Sequence, residues 1–333
     1  MNKAKCTEAD YINFIVATPV SYSCLEAGRV QAQGEAGPAH DAFSRLLQRL
    51  EPDAEALWQE SEPQVVKDQG ILVLDDTTLD KPYAKQMALV TRHWSGKHQA
   101  VVAGINLLTL LWTDGDRYVP CDYRLYEKTK DGLSKNDHFR ALVQAAHQRG
   151  FVPECVVFDS WYSGLDNLKC VRKLGWRWLT QLKANRLVNP TGTGPCPLAA
   201  VPLAATGTQI YLTGYGLILV FKLVATNGDI EYWATNDLTM TELTRLRLAE
   251  NAWQIETYHR GIKQFCGIEK SQARLSRTQR NHIGLALRAF LRLEAFCFYH
   301  GLSWFEAKLA IVRHAVRAYL AQPIYTLPTC STA

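Results

Sequence analysis

Residues 71–82 read ILVLDDTTLDKP, four aliphatic residues that run straight into two aspartates and two threonines. A short apolar run bounded by polar residues fits a buried strand. A strand that closes on acids either turns into solvent or presents carboxylate oxygens to a cation. Side chains alternate along a strand, so Asp75 and Asp76 point to opposite faces and at most one of them serves a given ligand site. Periodicity does not choose between them. A second stretch repeats the design: ECVVFDSWYSG (154–164) breaks off an apolar run at Asp159, followed by small polar and aromatic residues. Both runs are expected as central strands of one sheet, where neighbouring backbone holds a carboxylate in place.

Working outward, residues 1–70 read as helical, with Phe43, Leu46, Leu47 and Leu50 at helical spacing in DAFSRLLQRL (41–50). Beyond the opening stretch, QAVVAGINLLTLLW (99–112) and RYVPCDYRLYE (117–127) flank an Asp-Gly turn signal in TDGD (113–116), which predicts an antiparallel hairpin. HFRALVQAAHQRG (138–150) predicts a helix closed by Gly150. Residues 165–175 predict another helix, and 176–186 a strand. Residues 190–238 shift to Gly, Thr, Pro and alternating β-formers, with a hairpin turn at NGD (227–229). TMTE (239–242) predicts a capped helix whose periodicity runs on to Gly267, and helices over 276–299 and 304–321 follow, the last opened by the capping box SWFE (303–306). The order predicts an α/β fold, a mixed sheet with helices packed upon it.

Composition excludes a disordered chain, a fibre and a repeat array: 47% of the 333 residues are hydrophobic and 21% charged. Nine cysteines without a CxxC pair indicate reduced thiols in a cytoplasmic protein rather than a zinc ribbon or a disulfide framework. Glu8 and Asp10 near the start argue against a secretory signal, and the longest apolar stretch, 101–112, is too short to span a bilayer, so no membrane partner is expected. Net charge is only +5, but it is unevenly spread. Residues 1–70 carry 6 basic against 11 acidic residues, 71–240 carry 18 against 15, and 241–320 carry 13 against 6. A basic C-terminal third suits a phosphate-bearing partner.

The third acid lies in WQIETYHRGIK (253–263). Helical spacing turns Ile255, Tyr258 and Ile262 inward and puts Glu256, Arg260 and Lys263 on an adjacent face, beside His259. Taken alone this is an ordinary surface ion-pair face. Phosphodiester chemistry with two divalent ions, however, needs a few carboxylates from separate elements converging on ions about 3.5–4 Å apart, and Glu256 supplies the missing one.

Three stretches, LVLDDTT, VVFDSWYSG and WQIETYHRGIKQFCGIEKSQAR, together resemble the DDE transposases of bacterial insertion sequences, in the type whose RNase H-like core is interrupted by a β-rich insert. The resemblance covers about residues 70–290. It implies an N-terminal helical unit (1–70), an RNase H-like mixed sheet with flanking helices (71–189 and 239–275), a β-rich insertion (190–238) and C-terminal helices (276–333). In that family the first acid stands immediately before Thr, which maps to Asp76; the second maps to Asp159, the glutamate to Glu256, and a lysine seven residues on to Lys263. The 83 residues from Asp76 to Asp159 hold a hairpin, a strand and a helix, and the 97 from Asp159 to Glu256 exceed one crossover by about the length of the insert.

The resemblance further implies two Mg²⁺ (or Mn²⁺) ions held by Asp76, Asp159 and Glu256. It implies cleavage at the inverted-repeat ends of an element, strand transfer into target DNA, and a homodimer bridging two ends of a nucleoid-associated complex. Lys263, Arg260, Arg274 and Arg277 are candidate phosphate contacts, as are Lys183 and Arg186 just past a core strand. The chain departs from the family at Ala249 and Ala252, where members often carry Tyr and Arg, leaving Arg245 or Arg247 to substitute. Trp161 and Tyr162 read as core before they read as base-stacking groups, Trp233 as a wedge for a hairpinned end, and His93 and His98, on or near a strand, as structural. Two rival functions remain: a metal-dependent nuclease without strand transfer, and a DNA-binding regulator that keeps the fold without the chemistry. Cutting without joining marks the first, and binding without cutting the second.

Overall fold

The computed structural model describes residues 5–31, 37–95, 99–127, 130, 132–192 and 194–324. Four helices come first: α1 (Glu8–Ala17), α2 (Cys24–Arg29), α3 (His40–Arg49) and α4 (Glu55–Ser61). Then β1 (Ile71–Asp80) enters the middle of a large mixed sheet. Its first four residues are buried on both faces, which is why they read as an unbroken apolar run rather than an alternating one. On one side β1 pairs antiparallel with β3 (Ala100–Thr113) along its whole length, from Ile71 opposite Thr113 to Asp80 opposite Gly104. On the other it pairs parallel with β5 (Cys155–Phe158), but only from Ile71 opposite Cys155 to Leu74 opposite Phe158.

The outer edge of β3 is shared by two strands in succession, β2 (Thr91–Ser95) and β4 (Val119–Tyr126), and β4 forms the predicted hairpin. Helix α5 (Lys135–Gln148) follows, capped by Ser134 and closed by Gly150 at φ +83°. After β5 come α6 (Leu165–Lys173) and β6 (Trp178–Leu182), the latter parallel to β5. The order β4-β3-β1-β5-β6, with a parallel centre and an antiparallel flank, is the RNase H-like mixed sheet expected from the sequence.

Residues 190–238 do not stand apart from that sheet. β7 (Leu187–Val188), β8 (Cys196–Pro197), β9 (Thr208–Leu212), β10 (Gly216–Val224) and β11 (Ile230–Thr235) extend its edge, with β11 antiparallel to β6 from Tyr232 opposite Leu182 to Thr235 opposite Leu179. The NGD turn joins β10 to β11 as predicted.

Three local expectations are corrected. Strand β1 does not end at the acids; its antiparallel ladder with β3 carries it on to Asp80, and only the parallel partner stops at Leu74. The helix expected from Thr239 to Gly267 is two helices, α7 (Glu242–Ala252) and α8 (Gln254–Phe265), joined at Trp253. The cap of α7 is Thr241, whose hydroxyl accepts from the Thr244 N–H at 3.1 Å, while Thr239 is held in the preceding turn by Asp237 at 2.7 Å.

Helices α9 (Ser276–His300) and α10 (Trp304–Ala321) are the last described elements and pack with the N-terminal helices, so the two share one layer. The contact is polar as well as apolar. The Asn281 amide donates to the carbonyls of Leu47 and Leu50 at 2.8 and 2.9 Å, and the Lys308 ammonium donates to those of Ile15, Val16 and Thr18. Arg288 bonds Glu60 at 2.6 Å. The eight described cysteines are free thiols; Cys330 and His98 lie outside the described residues. Among the described residues no helix is long and apolar enough to cross a membrane.

The register of β1 on β3 rests on a glycine. A Cβ at Gly104 would meet the Thr78 methyl and lie 2.7 Å from the Leu79 carbonyl oxygen, so the two backbones approach as closely as they do only without a side chain there. Gly104→Ala is expected to cost about 1–3 kcal/mol of folding stability, the usual penalty of overpacking. Urea unfolding measures it, and an unchanged midpoint would contradict this register.

Candidate active site

Because β5 ends at Phe158, opposite Leu74, the next residues of both strands open a cleft at the carboxyl end of the parallel ladder. That is where open α/β sheets place their ligands. Asp75 and Asp76 come from β1 and Asp159 from the residue after β5. Asp159 caps a single turn of 3₁₀-helix at Ser160–Tyr162, its carboxylate accepting from the Trp161 N–H at 2.9 Å. Helix α8 lies against β1 and brings Glu256 in its first turn.

The two neighbouring aspartates live in different surroundings. Asp76 accepts from the Asn106 amide at 2.5 Å, the Lys135 ammonium at 2.7 Å and the Tyr162 hydroxyl at 2.5 Å. Burial alone would raise its pKa, but the Lys135 charge and these three hydrogen bonds outweigh it and hold the carboxyl below the usual range. Asp75 faces α8 instead. One of its oxygens accepts from the Asp76 N–H at 2.8 Å, and the other lies 4.0 Å from the His259 Nδ1. Burial, then the charges of Asp76, Asp159 and Glu256, push its pKa well above the carboxylate range. Asp159 is raised as well, by burial and by Asp76. His259 is buried, and its pKa is pulled down to about 3 by that burial and by Lys263, so the ring is neutral.

Among the described residues the cleft gathers four carboxylates; Lys135 pairs with Asp76, while the acids around Asp75 raise its pKa. One ligand atom each from Asp75, Glu256 and His259 lies within 4.8 Å of the other two. That donor set, with its surplus of negative charge, fits a divalent cation. Asp76, which the resemblance selects as the first ligand, is taken up by Lys135, Asn106 and Tyr162; the aspartate grouped with Glu256 is Asp75.

The basic candidates divide. The Lys263 ammonium donates to the Thr78 carbonyl at 2.8 Å, two residues along the strand from Asp76. Arg260 is exposed on α8 and donates to the Thr257 hydroxyl at 3.3 Å. Lys183 is exposed, 6.0 Å from the centre of the Trp161 ring, and so lies on the Asp159 side of the cleft. Arg186 is half-buried. Arg274 is exposed in the loop after α8, where its carbonyl accepts from the Ala88 N–H at 2.9 Å. Arg277 is paired with Glu51 at 3.0 Å, against the N-terminal helices. Neither substitute for the missing arginine is free: Arg245 is buried beside Phe221, and Arg247 is paired with Glu154. Trp161 is exposed, Tyr162 is core and Trp233 is tied to Glu231 at 2.8 Å.

Sequence reasoning missed Asn106, Lys135 and the proximity of His259 to Asp75, and it read Tyr162 as core or base-stacking rather than as a hydrogen-bond donor to Asp76. A signal existed for one of them. Asn106 is the sole amide in the apolar run 101–112, and a buried amide needs a partner. Lys135 and Tyr162 meet Asp76 only through tertiary packing, 59 and 86 residues away in sequence.

Residues 27–205, more than half of the chain, match the family described as DDE superfamily endonuclease. Among solved structures, the chain is similar to a piggyBac transposase synaptic complex with hairpin DNA. The identity is 12% and the TM-score 0.51, covering all of this chain and 80% of that one. A Drosophila P element transposase strand transfer complex aligns at 10% identity with a TM-score of 0.30, over 97% of this chain and 88% of that one. No curated protein matches the sequence.

A carboxyl held protonated must lose its proton before it binds a cation, so Mn²⁺ affinity is expected to rise with pH above the ordinary carboxylate range and level off once Asp75 is ionised. Calorimetric titration in buffers of different ionisation enthalpy reads the released proton. Asp75→Asn should remove that release, and its persistence in the variant would assign the proton elsewhere.

Proposed function

The chain belongs to the DDE superfamily endonucleases, and on that premise we propose that it is a DNA transposase of a bacterial insertion sequence, cutting the element's ends and joining them to target DNA. The observation that carries this reading is the grouping of Asp75 on β1 with Glu256 and His259 on α8, beside Asp159, whose charge acts on Asp75. The assignment of the first acid moves from Asp76 to Asp75, because Asp75 is the aspartate that stands with Glu256. Asp76 positions rather than ligates, anchoring Lys135 and Tyr162.

Two divalent ions, Mg²⁺ or Mn²⁺, when held by these carboxylates, supply activation of the attacking oxygen and stabilisation of the leaving one. The chain's own groups do the rest. Three separate elements fix the carboxylates so that little reorganisation is needed. Lys183 and Arg260, both exposed, would hold phosphates, and Arg186, Arg274 and Arg277 would extend that contact along a duplex. Lys263 is a positioning group, tying α8 to β1 through Thr78. A homodimer would bring two element ends to two such clefts. A nuclease without strand transfer shares the same carboxylates, and the joined product separates the two.

The purified protein, given Mg²⁺ and the DNA that flanks its own reading frame, is expected to cut at paired inverted repeats and to join the ends to a target plasmid. Asp75→Asn, Asp159→Asn and Glu256→Gln should each abolish cutting and leave DNA binding intact. Asp76→Asn should lose only about 10- to 100-fold, the usual cost of an outer-shell partner. Gel analysis of nicked and joined products reads all four. Full cutting by Asp75→Asn with none by Asp76→Asn would return the ligand role to Asp76, and end-specific nicks without joined product would favour the nuclease.

A further inference from the structure

His259 lies three residues after Glu256, so both side chains leave the same face of α8. The imidazole is 4% exposed, yet it forms no hydrogen bond among the described residues: Nε2 is buried without a partner, and Nδ1 stands 4.0 Å from the Asp75 carboxylate. That gap exceeds a hydrogen bond. It lies within the roughly 4.2 Å that two donors span at most when each is about 2.1 Å from one cation.

The protein contains its own contrast. His282, equally buried on α9, has both ring nitrogens engaged, Nδ1 with the Tyr11 hydroxyl at 2.9 Å and Nε2 with the Gly267 carbonyl at 3.2 Å. A buried histidine kept for packing is satisfied in this way, because an unpaired buried nitrogen costs about 1–3 kcal/mol. His259 leaves Nε2 unpaired and turns Nδ1 toward the Asp75 carboxylate.

We infer that His259 is a nitrogen ligand of the cation site, joining Asp75 and Glu256 in a mixed nitrogen and oxygen set. The inference rests on the reading of those two acids as ligands. Its chemical consequence is selectivity. Mg²⁺ takes oxygen donors almost exclusively, whereas imidazole suits transition metals. A centre with one imidazole therefore favours Mn²⁺ over Mg²⁺ more than a site built of carboxylates alone.

The test uses the full chain and Mn²⁺ alone, without DNA. Pulsed electron paramagnetic resonance on protein labelled with ¹⁵N-histidine is expected to show a directly coordinated nitrogen. His259→Gln should remove that coupling and weaken Mn²⁺ binding about tenfold or more, with a smaller change for Mg²⁺. The wild-type spectrum decides even if the variant folds poorly. A Mn²⁺ site that Glu256→Gln abolishes, but that shows no nitrogen coupling, overturns the inference and leaves the carboxylate reading standing. A coupling that survives in His259→Gln belongs to another histidine and overturns it too. Absence of any Mn²⁺ site overturns the inference together with the reading beneath it.

Discussion

Four carboxylates share one cleft, and most of the local structure follows from how their mutual repulsion is contained. Unit charges a few ångströms apart at the edge of a protein repel by several kcal/mol, more than a typical surface contact returns. The chain resolves half of the problem internally. Lys135, Asn106 and Tyr162 converge on Asp76 and keep it ionised in place. They come from α5, β3 and the turn after β5, so three packed elements are committed to one side chain. Asp75, its neighbour on the opposite face, has no such support and is pushed toward its neutral form. The asymmetry between two adjacent aspartates is thus produced by what packs on each face of β1, not by the strand itself.

The scaffold explains why this arrangement holds its shape. The ladder between β1 and β3 runs ten residues without interruption, straight past the acids, so the carboxylates sit on a strand that is rigid on one side and open on the other. The opening exists because β5 stops at Phe158. Strands β7 to β11 then widen the same sheet from the β6 edge, and α9 and α10 bind it to the N-terminal helices through Asn281, Lys308 and Arg288. Residues 190–238 and the acidic N-terminal segment are therefore continuous with the core in packing, although each differs from it in composition.

Much of this was legible in the amino-acid sequence. The strand runs around Asp75 and Asp159, the hairpin at the Asp-Gly turn, the capping boxes of the last helix and the inward face of Ile255, Tyr258 and Ile262 all follow from local rules, and all are found. What was not legible was nonlocal. Periodicity could not tell Asp75 from Asp76, since they differ in what packs on each face, α8 on one and Lys135 and Tyr162 on the other. Nor could it see that β1 outlives its apolar run, because the residues that extend it are paired, on one side only, with a strand some thirty positions away. A capping pattern at Thr239 was satisfied two residues later, by Thr241, since Thr239 was already bound in the turn to Asp237.

The break at Trp253 ties these observations together. A single helix from Thr241 to Phe265 would keep one direction along β1, and Glu256 would sit in its interior. Ending α7 at Ala252 and restarting at Gln254 puts Glu256 in the first turn of α8, its N–H donating to the Trp253 carbonyl at 3.1 Å. It also frees the course of α8, which Lys263 then fixes by its bond to the Thr78 carbonyl, on the same strand as Asp75. Glu256 and His259 are held against Asp75 by an anchor seven residues beyond the glutamate, two helical turns away. The lysine that sequence comparison marks as a phosphate contact is thus tied to the β1 backbone, and through it the helix carrying the third acid is registered on the strand carrying the first.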